Sequence, residues 1–384
     1  MEINAPLLNA RLCQLSERLR HRRYALVSAL PMQAEPVSVV GVGRALLSGD
    51  WAARTAHPRR RLFEPSVWCH RDWARFRRQH PALFALFTLF ALNRSADRAT
   101  VSQCLGDELT AGLLADDVLR VFEDRVVSNV RILPYRDTLL MTDPEDRTIE
   151  DFAYLGKDSF ELADAIEQRL GAQRFDRGLD LCTGVGIHAV LLADRCREVV
   201  GVDINPRALR YARYNALIND RRNIRFIRAD LAEGLQGRFD VMVSNPPFRL
   251  LPETLRASHR DGFGGELGLE ATLTILRSLD RLLREDGVGL VLTVSPVMAG
   301  KNRLLQVLAD LVLERPFEIR VSVTDVTYDM THHAFYRAQR ISEFLTCHVL
   351  VPPSSAGRLV VEHRVPWKPL KQALIRARQW KTGS

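Results

Sequence analysis

The spacing of apolar and polar residues changes character near residue 150. Before it, residues 81–92, PALFALFTLFAL, are apolar nearly all round, the pattern of a buried helix. Ala99–Leu119 spaces its apolar residues as two short helices around Gly106 and Gly112. Asp124–Thr142 alternates about Pro134–Asp137 and predicts a β-hairpin. Helix, helix, hairpin is the outline of a winged helix, a module that binds DNA in some proteins and protein in others. The first 60 residues read as helices broken by Pro31, Pro36 and Gly41–Gly49. Asp143–Asp151, polar and containing Pro144, reads as a linker. After it, strands alternate with helices, the signature of a doubly wound parallel sheet. Helices are predicted at Asp158–Leu170 (capped by Asp158 or Ser159), Ile187–Cys196, Pro206–Leu217 and Leu267–Leu283. Strands are predicted at Gly178–Cys182, Glu198–Val202, Ile224–Ile227, Phe239–Ser244 and Gly287–Val294. Phe317–Thr324 and Phe344–Val351 are expected to pair as an antiparallel edge. The expected organisation is a mainly helical recognition or accessory domain at 1–150 and an α/β domain at 151–384.

Composition agrees with that picture. The chain has 384 residues, 46% hydrophobic and 26% charged, enough for two soluble globular domains. No apolar run reaches membrane-spanning length, and Met1–Asn4 lacks the basic start of a secretory signal, so a cytoplasmic location without a membrane partner is expected. None of the six cysteines forms a C-x-x-C pair or has a histidine at zinc-finger spacing; neither disulfide nor metal is expected. The net charge of +8 is uneven. Residues 1–80 carry 14 arginines against six acids, residues 81–300 carry 27 basic residues against 33 acids, and residues 301–384 carry 13 against seven. Clusters at Arg18–Arg23, Arg59–Arg61 and Arg75–Arg78 suit either phosphate contacts or solvated helix faces.

Four segments carry chemistry. In Leu179–Ala189, LDLCTGVGIHA, a strand ends, a glycine turn follows and a helix begins. Gly184 and Gly186 let a ligand lie against the backbone, with Asp180 and Thr183 beside them. Gly184-x-Gly186-x-x-Ala189 also satisfies a dinucleotide fingerprint, so on its own the turn suits S-adenosylmethionine or NAD. Asp203, followed by Ile204 at the end of the second strand, suits a ribose diol, and Asp230 after the third suits an adenine amino group. The fourth segment is Asn245-Pro246-Pro247-Phe248, directly after an apolar strand. The Asn245 side-chain oxygen and the Pro246 carbonyl are acceptors for two N–H bonds of a planar nitrogen. Pro247 stiffens the turn, and Phe248 offers a flat face for stacking. Such a set holds a nitrogen in line for methyl transfer and stabilises the positive charge that grows on it. It needs no metal, nucleophilic cysteine or strong base.

DLCTGVGIHA, GVDIN and SNPPF resemble the motifs of class I S-adenosylmethionine-dependent methyltransferases with the N-P-P-[YF] signature, most closely the HemK/PrmC-like group. The resemblance covers roughly Phe152–Val351. It implies a Rossmann-like seven-stranded domain preceded by a mainly helical, winged-helix-like region. It implies S-adenosyl-L-methionine as cofactor, held by Asp180, Thr183, Gly184, Gly186, Asp203, Ile204, Asp230 and Asn245. It assigns the acceptor nitrogen to Asn245, Pro246, Pro247 and Phe248. Gly264–Leu269 resembles a family segment read as a mobile cover over the substrate. The region before residue 150 is about twice as long as the family's usual front domain, so a release-factor substrate does not transfer with the motifs.

The acceptor is read as a planar amide, guanidino or amino nitrogen of a small molecule or protein side chain. An rRNA base, gripped through residues 1–80, is the alternative. An NAD-dependent oxidoreductase fits the glycine turn but leaves Asn245–Phe248 and Asp230 unexplained. His188 reads as a packing residue, His332 and His333 as an exposed loop, and Trp51, Trp68 and Trp73 as core anchors. Tyr328 and Phe335 are placed by position beside the acceptor. Tyr154 and Phe160 are expected against the cofactor or the sheet.

Overall fold

The computed structural model describes residues 5–22, 24, 76–144, 151–256, 262–265, 267–314, 318–327, 333–352 and 358–363. Expectations for Pro31 to Trp73, for Arg59–Arg61, and for Tyr328 and His332 lie outside the described residues. The chain divides into two compact units, 1–239 and 240–384.

In the first unit, α1 (Ala5–His21) is followed by α2 (Pro81–Leu86), which runs on as a π-turn over Phe87–Ala91. Pro81 sits in the first turn of α2, where its missing N–H costs nothing. Then come β1 (Ala96–Asp97), α3 (Arg98–Leu105), α4 (Asp107–Ala115), β2 (Leu119–Phe122) and β3 (Arg125–Ser128). The three strands form an antiparallel sheet in the order β1-β3-β2. Asp97 caps α3, its Oδ1 accepting from the Thr100 amide at 2.7 Å. Gly106, at φ +95°, separates the two helices as expected. Gly112 does not: it lies inside α4, where a Cβ would stand 2.5 Å from the Arg11 guanidinium. The side chain of Arg11 on α1 lies against this glycine, and no helix break occurs there.

The hairpin expected about Pro134–Asp137 is present, and another precedes it. The alternation over Asp124–Thr142 belongs to two hairpins. One is β2–β3; the other is β4 (Arg131–Tyr135) and β5 (Thr138–Thr142), which turns at Arg136 with φ +52°. Every residue of β4 and β5 is buried, which hides the two-sided pattern that separates one hairpin from the next.

The unit continues with α5 (Lys157–Leu170), β6 (Phe175–Leu181), α6 (Ile187–Ala193), β7 (Cys196–Asp203), α7 (Pro206–Ile218) and β8 (Ile224–Arg228). Gly156, not Asp158 or Ser159, occupies the N-cap of α5. Strands β6, β7 and β8 are parallel neighbours, with Asp180 opposite Gly201 and Asp203 opposite Arg228. Two asparagines one turn apart, Asn215 on α7 and Asn219 at its C-cap, close the outer edge of β5. Asn215 bonds the amide and carbonyl of Met141 at 2.6 and 2.9 Å, and Asn219 those of Leu139 at 3.0 and 2.7 Å. Each side-chain amide thereby takes the place of a neighbouring strand's peptide group. One apolar core runs from Leu8, Leu12, Leu15 and Leu19 of α1 through the winged element to Val185, Ile187, Leu191 and Tyr211. Arg20, within the first basic cluster, is bonded to Asn219 Oδ1 at 2.8 Å and to Ser16 Oγ at 3.3 Å.

The second unit holds β9 (Phe239–Ser244), α8 (Glu253–Arg256), α9 (Glu270–Arg277), α10 (Leu279–Leu282), β10 (Leu283–Met298), β11 (Lys301–Asn302), α11 (Arg303–Glu314), β12 (Glu318–Thr327), α12 (His333–Ala338), β13 (Ile341–Val351) and β14 (Arg358–His363). Its main strands follow the order β14-β12-β13-β10-β9. The expected antiparallel pairing of β12 with β13 is present, but β14 pairs parallel to β12, so β12 is not an edge strand. The helix expected over Leu267–Leu283 breaks at Ser278. Among the described residues no helix is long and apolar enough to cross a membrane.

Candidate active site

The first unit builds a turn at the carboxyl ends of parallel strands, where α/β sheets bind ligands. After Leu181 the backbone enters the left-handed region at Cys182 (φ +57°), Gly184 (φ +54°) and Gly186 (φ +85°). The two glycines serve different ends. A Cβ on Gly186 would lie 2.9 Å from Ala212 Cβ, so this glycine lets α7 approach the turn. A Cβ on Gly184 would meet only the Tyr154 carbonyl, at 3.9 Å, leaving that face of the backbone open.

Two carboxylates hold the turn. Asp180 is fully buried; its Oδ2 accepts from Thr183 Oγ1 at 2.5 Å and from the Ala189 amide at 2.9 Å. Asp203, half-buried at the end of β7, accepts from the Gly184 amide at 2.8 Å and the Asn205 amide at 2.9 Å. Burial pushes the Asp203 carboxyl above the ordinary carboxylate range, and those amides oppose the shift. Burial also raises Asp180 to about 7. Ile204, next to Asp203, leaves 59% of its surface exposed, an apolar face beside the turn. Asp230 follows β8 and is exposed. The Ala229 amide donates to the Asp203 carbonyl at 3.2 Å, which ties the two strand ends together.

The segment leading into α5 is anchored to α7. Buried Asp143 accepts from Arg207 Nε and Nη2 at 2.7 and 2.6 Å, from Tyr211 Oη at 2.7 Å and from the Ala153 amide at 2.8 Å. This fixes Phe152–Gly156, and with it Tyr154 above Gly184. Phe160 belongs to the apolar core and stacks obliquely on Tyr135, ring centres 5.8 Å apart.

In the second unit, Asn245-Pro246-Pro247-Phe248 leaves the end of β9. Asn245 and Phe248 are half-buried, and the Asn245 side-chain oxygen lies beneath the surface. The glycine-rich segment that the sequence suggested as a mobile cover is bonded to Arg249, the residue after this motif. The Arg249 amide donates to the Gly262 carbonyl at 2.7 Å, and the Gly264 amide to the Arg249 carbonyl at 3.0 Å. A Cβ on Gly264 would stand 2.7 Å from Phe248 Cα, and one on Gly268 (φ +72°) only 2.4 Å from the Phe248 carbonyl oxygen. Both glycines are there so that one backbone can lie against the other.

Phe248 packs on a cluster of Leu250, Val294, Tyr336, Ile341 and Phe344, joined by Met298 and Phe335. Tyr336 Oη donates to the Leu250 carbonyl at 3.2 Å, and the Tyr336 and Phe344 rings meet edge to face at 4.9 Å. Of these residues, only Phe335 stood out in the sequence. Tyr336, Phe344 and Met298 lie on α12, β13 and β10, and nothing in their local pattern distinguishes them from core.

Residues 161–259 match the methyltransferase small domain family. The chain is 31% identical over 149 residues to the putative protein N5-glutamine methyltransferase of Methanocaldococcus jannaschii, covering 38% of this chain and 74% of that protein. It is 37% identical over 139 residues to the ribosomal protein uL3 glutamine methyltransferase of Xanthomonas campestris pv. campestris, covering 33% and 45%. It is 28% identical over 132 residues to the release factor glutamine methyltransferase of Thermodesulfovibrio yellowstonii, covering 32% and 47%. The match thus spans less than half the length of the last two relatives.

Proposed function

Because this chain belongs to the HemK/PrmC-like group of class I methyltransferases, we propose that it transfers a methyl group from S-adenosyl-L-methionine to a planar side-chain nitrogen of a protein, the amide of a glutamine. The observation that carries this is Asn245-Pro246-Pro247-Phe248 at the end of β9, its backbone braced by Gly264 and Gly268. A bracing of that kind fixes where acceptor oxygens point.

The cofactor's residues lie in the first unit. Gly184 offers an open backbone face, Ile204 an exposed apolar surface and Asp230 an exposed carboxylate; Gly186, Asp180 and Thr183 hold the turn that presents them. Asp203 fits a ribose diol. Bound there, S-adenosyl-L-methionine supplies a methyl group activated by its sulfonium. The second unit handles the acceptor. The Asn245 oxygen and the Pro246 carbonyl accept the two N–H bonds of the amide, which fixes the direction of its lone pair. Growing positive charge on the nitrogen strengthens both bonds, so the same two oxygens lower the barrier. Phe248, held by the aromatic cluster, stacks on the amide plane. The proton leaves to water after transfer.

Residues 1–150 act as an accessory and recognition region, and residues 151–384 as the catalytic region. A protein acceptor is favoured over RNA because the three relatives are named for protein glutamines, and because Arg20, in the first basic cluster, is bonded internally. Family membership also removes the oxidoreductase reading.

The test is methyl transfer from labelled S-adenosylmethionine into a protein fraction lacking this methylation, followed by acid hydrolysis. Methylation of a glutamine amide releases labelled methylamine, which is the expected product. Label retained on nucleic acid, or on a protein carbon or oxygen, would overturn the assignment.

A further inference from the structure

The stretch that forms α7 and β8 carries a charge unlike that of its surroundings. From Asn205 to Arg228 the chain has seven arginines, no lysine and one acid, Asp220, whereas over residues 81–300 acids outnumber basic residues. Three of the seven are committed to carboxylates. Arg207 is bonded to buried Asp143 at 2.6 Å, Arg221 stands 2.8 Å from Asp194, and Arg222 stands 3.1 Å from Asp220. Among the described residues Arg210, Arg213 and Arg225 pair with no carboxylate, and Arg228 is bonded to the Ile204 carbonyl alone, at 3.2 Å. All four are exposed.

Three of these four follow one line. Arg210 and Arg213 are three residues apart on α7, which puts them on one side of the helix about a turn apart. Other sides of α7 are occupied: Ala212 meets the turn at Gly186, and Asn215 and Asn219 meet β5. The Ile204 carbonyl that holds Arg228 lies just before Pro206, the first residue of α7. Arg228, Arg210 and Arg213 therefore succeed one another from the rim of the cofactor turn along the helix. Arg225, three positions before Arg228 on β8, faces the other side of that strand. Exposed Asp230, after β8, bounds the line at the end nearest the turn.

We propose that Arg228, Arg210 and Arg213 bind the phosphate backbone of a nucleic acid that passes beside the cofactor turn. A guanidinium stays charged at any working pH, is weakly hydrated, and donates two parallel N–H bonds to a pair of phosphate oxygens. Three such groups in a row, none of them neutralised by a carboxylate, match a chain that repeats one negative charge per nucleotide. A lipid surface is a poorer match. It would need an apolar face to insert, and the one large apolar residue exposed on α7 is Leu217, at 36%. An acidic protein is a poorer match for a similar reason, because protein interfaces centre on buried apolar and aromatic anchors. The inference concerns what is held beside the turn and not what is methylated, so it stands whether or not glutamine is the acceptor.

The test is fluorescence anisotropy of the whole chain with end-labelled single-stranded RNA of about 20 nucleotides, and with DNA of the same base sequence, from about 50 to 300 mM salt. Wild-type binding that weakens steeply with salt is expected. Binding of either strand supports the proposal, and the tighter of the two names the nucleic acid. The triple variant Arg210→Gln, Arg213→Gln, Arg228→Gln should bind at least ~10-fold more weakly at low salt. Its plot of log affinity against log salt should be shallower by about 2, at ~0.7 per lost phosphate contact. The corresponding lysine triple keeps the charge, so it should keep the wild-type slope while losing affinity with the guanidinium fork. A control triple, Arg94→Gln, Arg98→Gln, Arg125→Gln, removes the same charge from exposed positions around β1 and β3 and should leave the slope nearly unchanged. Urea unfolding of each variant separates lost fold from lost contact. Failure of the wild type to bind RNA or DNA would overturn the proposal, as would an unchanged slope in the glutamine triple or an equal loss in the control triple. Binding of polyglutamate, or of vesicles of equal parts phosphatidylcholine and phosphatidylserine, as tight as that of RNA and as sensitive to the glutamine triple, would overturn it too. The stripe would then serve an acidic protein or a membrane.

Discussion

At the scale of single residues, the division of labour is between groups that shape backbone and groups that meet ligands. Asp180, Thr183 and Gly186 are buried and give the turn its path, while Gly184, Ile204 and Asp230 present surface. Under the proposed function Asn245 belongs to the second group and acts on the acceptor. Asn245→Ala should therefore leave S-adenosylhomocysteine affinity within about twofold and lower kcat by at least ~100-fold, the usual cost of removing a charge-stabilising group. Calorimetry and a steady-state assay together check it; weakened cofactor binding with kcat intact would reverse the roles. These motif residues were legible in the sequence because each is a short-range pattern after a strand. The surroundings of His188 were not. His188 sits on the first turn of α6 among apolar neighbours, and the groups it meets, Ser159 and Asp180, come from another helix and from β6. Such a juxtaposition has no periodicity to read.

Elements were legible where a short apolar run or a helical repeat is bounded by turn residues. The strands Phe239–Ser244 and Ile224–Arg228 and the helix Pro206–Ile218 fall within a residue of expectation. The hairpin about Pro134–Asp137 was legible and is β4–β5; legibility failed at the separate hairpin β2–β3 before it, and where a later element completes the sheet, in β14. The closing of β5 by α7 is a further case: two asparagines on a helix read as ordinary polar positions, yet here they satisfy a strand edge. Asn215 makes three such bonds, to the amide and carbonyl of Met141 and to the Val185 carbonyl, with no exposed surface. Asn215→Leu, similar in volume, would strand all three groups. A loss of about 2–4 kcal/mol is expected, each buried unsatisfied group costing ~1–3 kcal/mol before relaxation. Urea unfolding would measure it, and a change below about 0.5 kcal/mol would mean that these bonds contribute nothing net.

At the scale of the molecule, the sequence suggested a change of domain at residue 150, and that remains a change of pattern: helices and hairpins before it, strand–helix alternation after. Compactness divides the chain elsewhere, at residue 239, and a single core joins α1 to α6 and α7. The consequence is thermodynamic coupling between the N-terminal helix and the cofactor turn. Leu15, 1% exposed on α1, lies in that shared core. Leu15→Ala should cost about 2–5 kcal/mol, and the midpoint shift should appear equally in cofactor-binding and far-UV signals. A loss confined to helical signal, with cofactor binding retained through the same range, would show that α1 unfolds alone.

All of this depends on the turn between β6 and α6 binding S-adenosylmethionine and no nicotinamide cofactor. Calorimetric titration of the whole chain with S-adenosylhomocysteine, and in parallel with NADH, tests that most directly. Micromolar binding of S-adenosylhomocysteine alone, abolished by Asp203→Ala, is the expected result. Binding of NADH, or of neither, would contradict it.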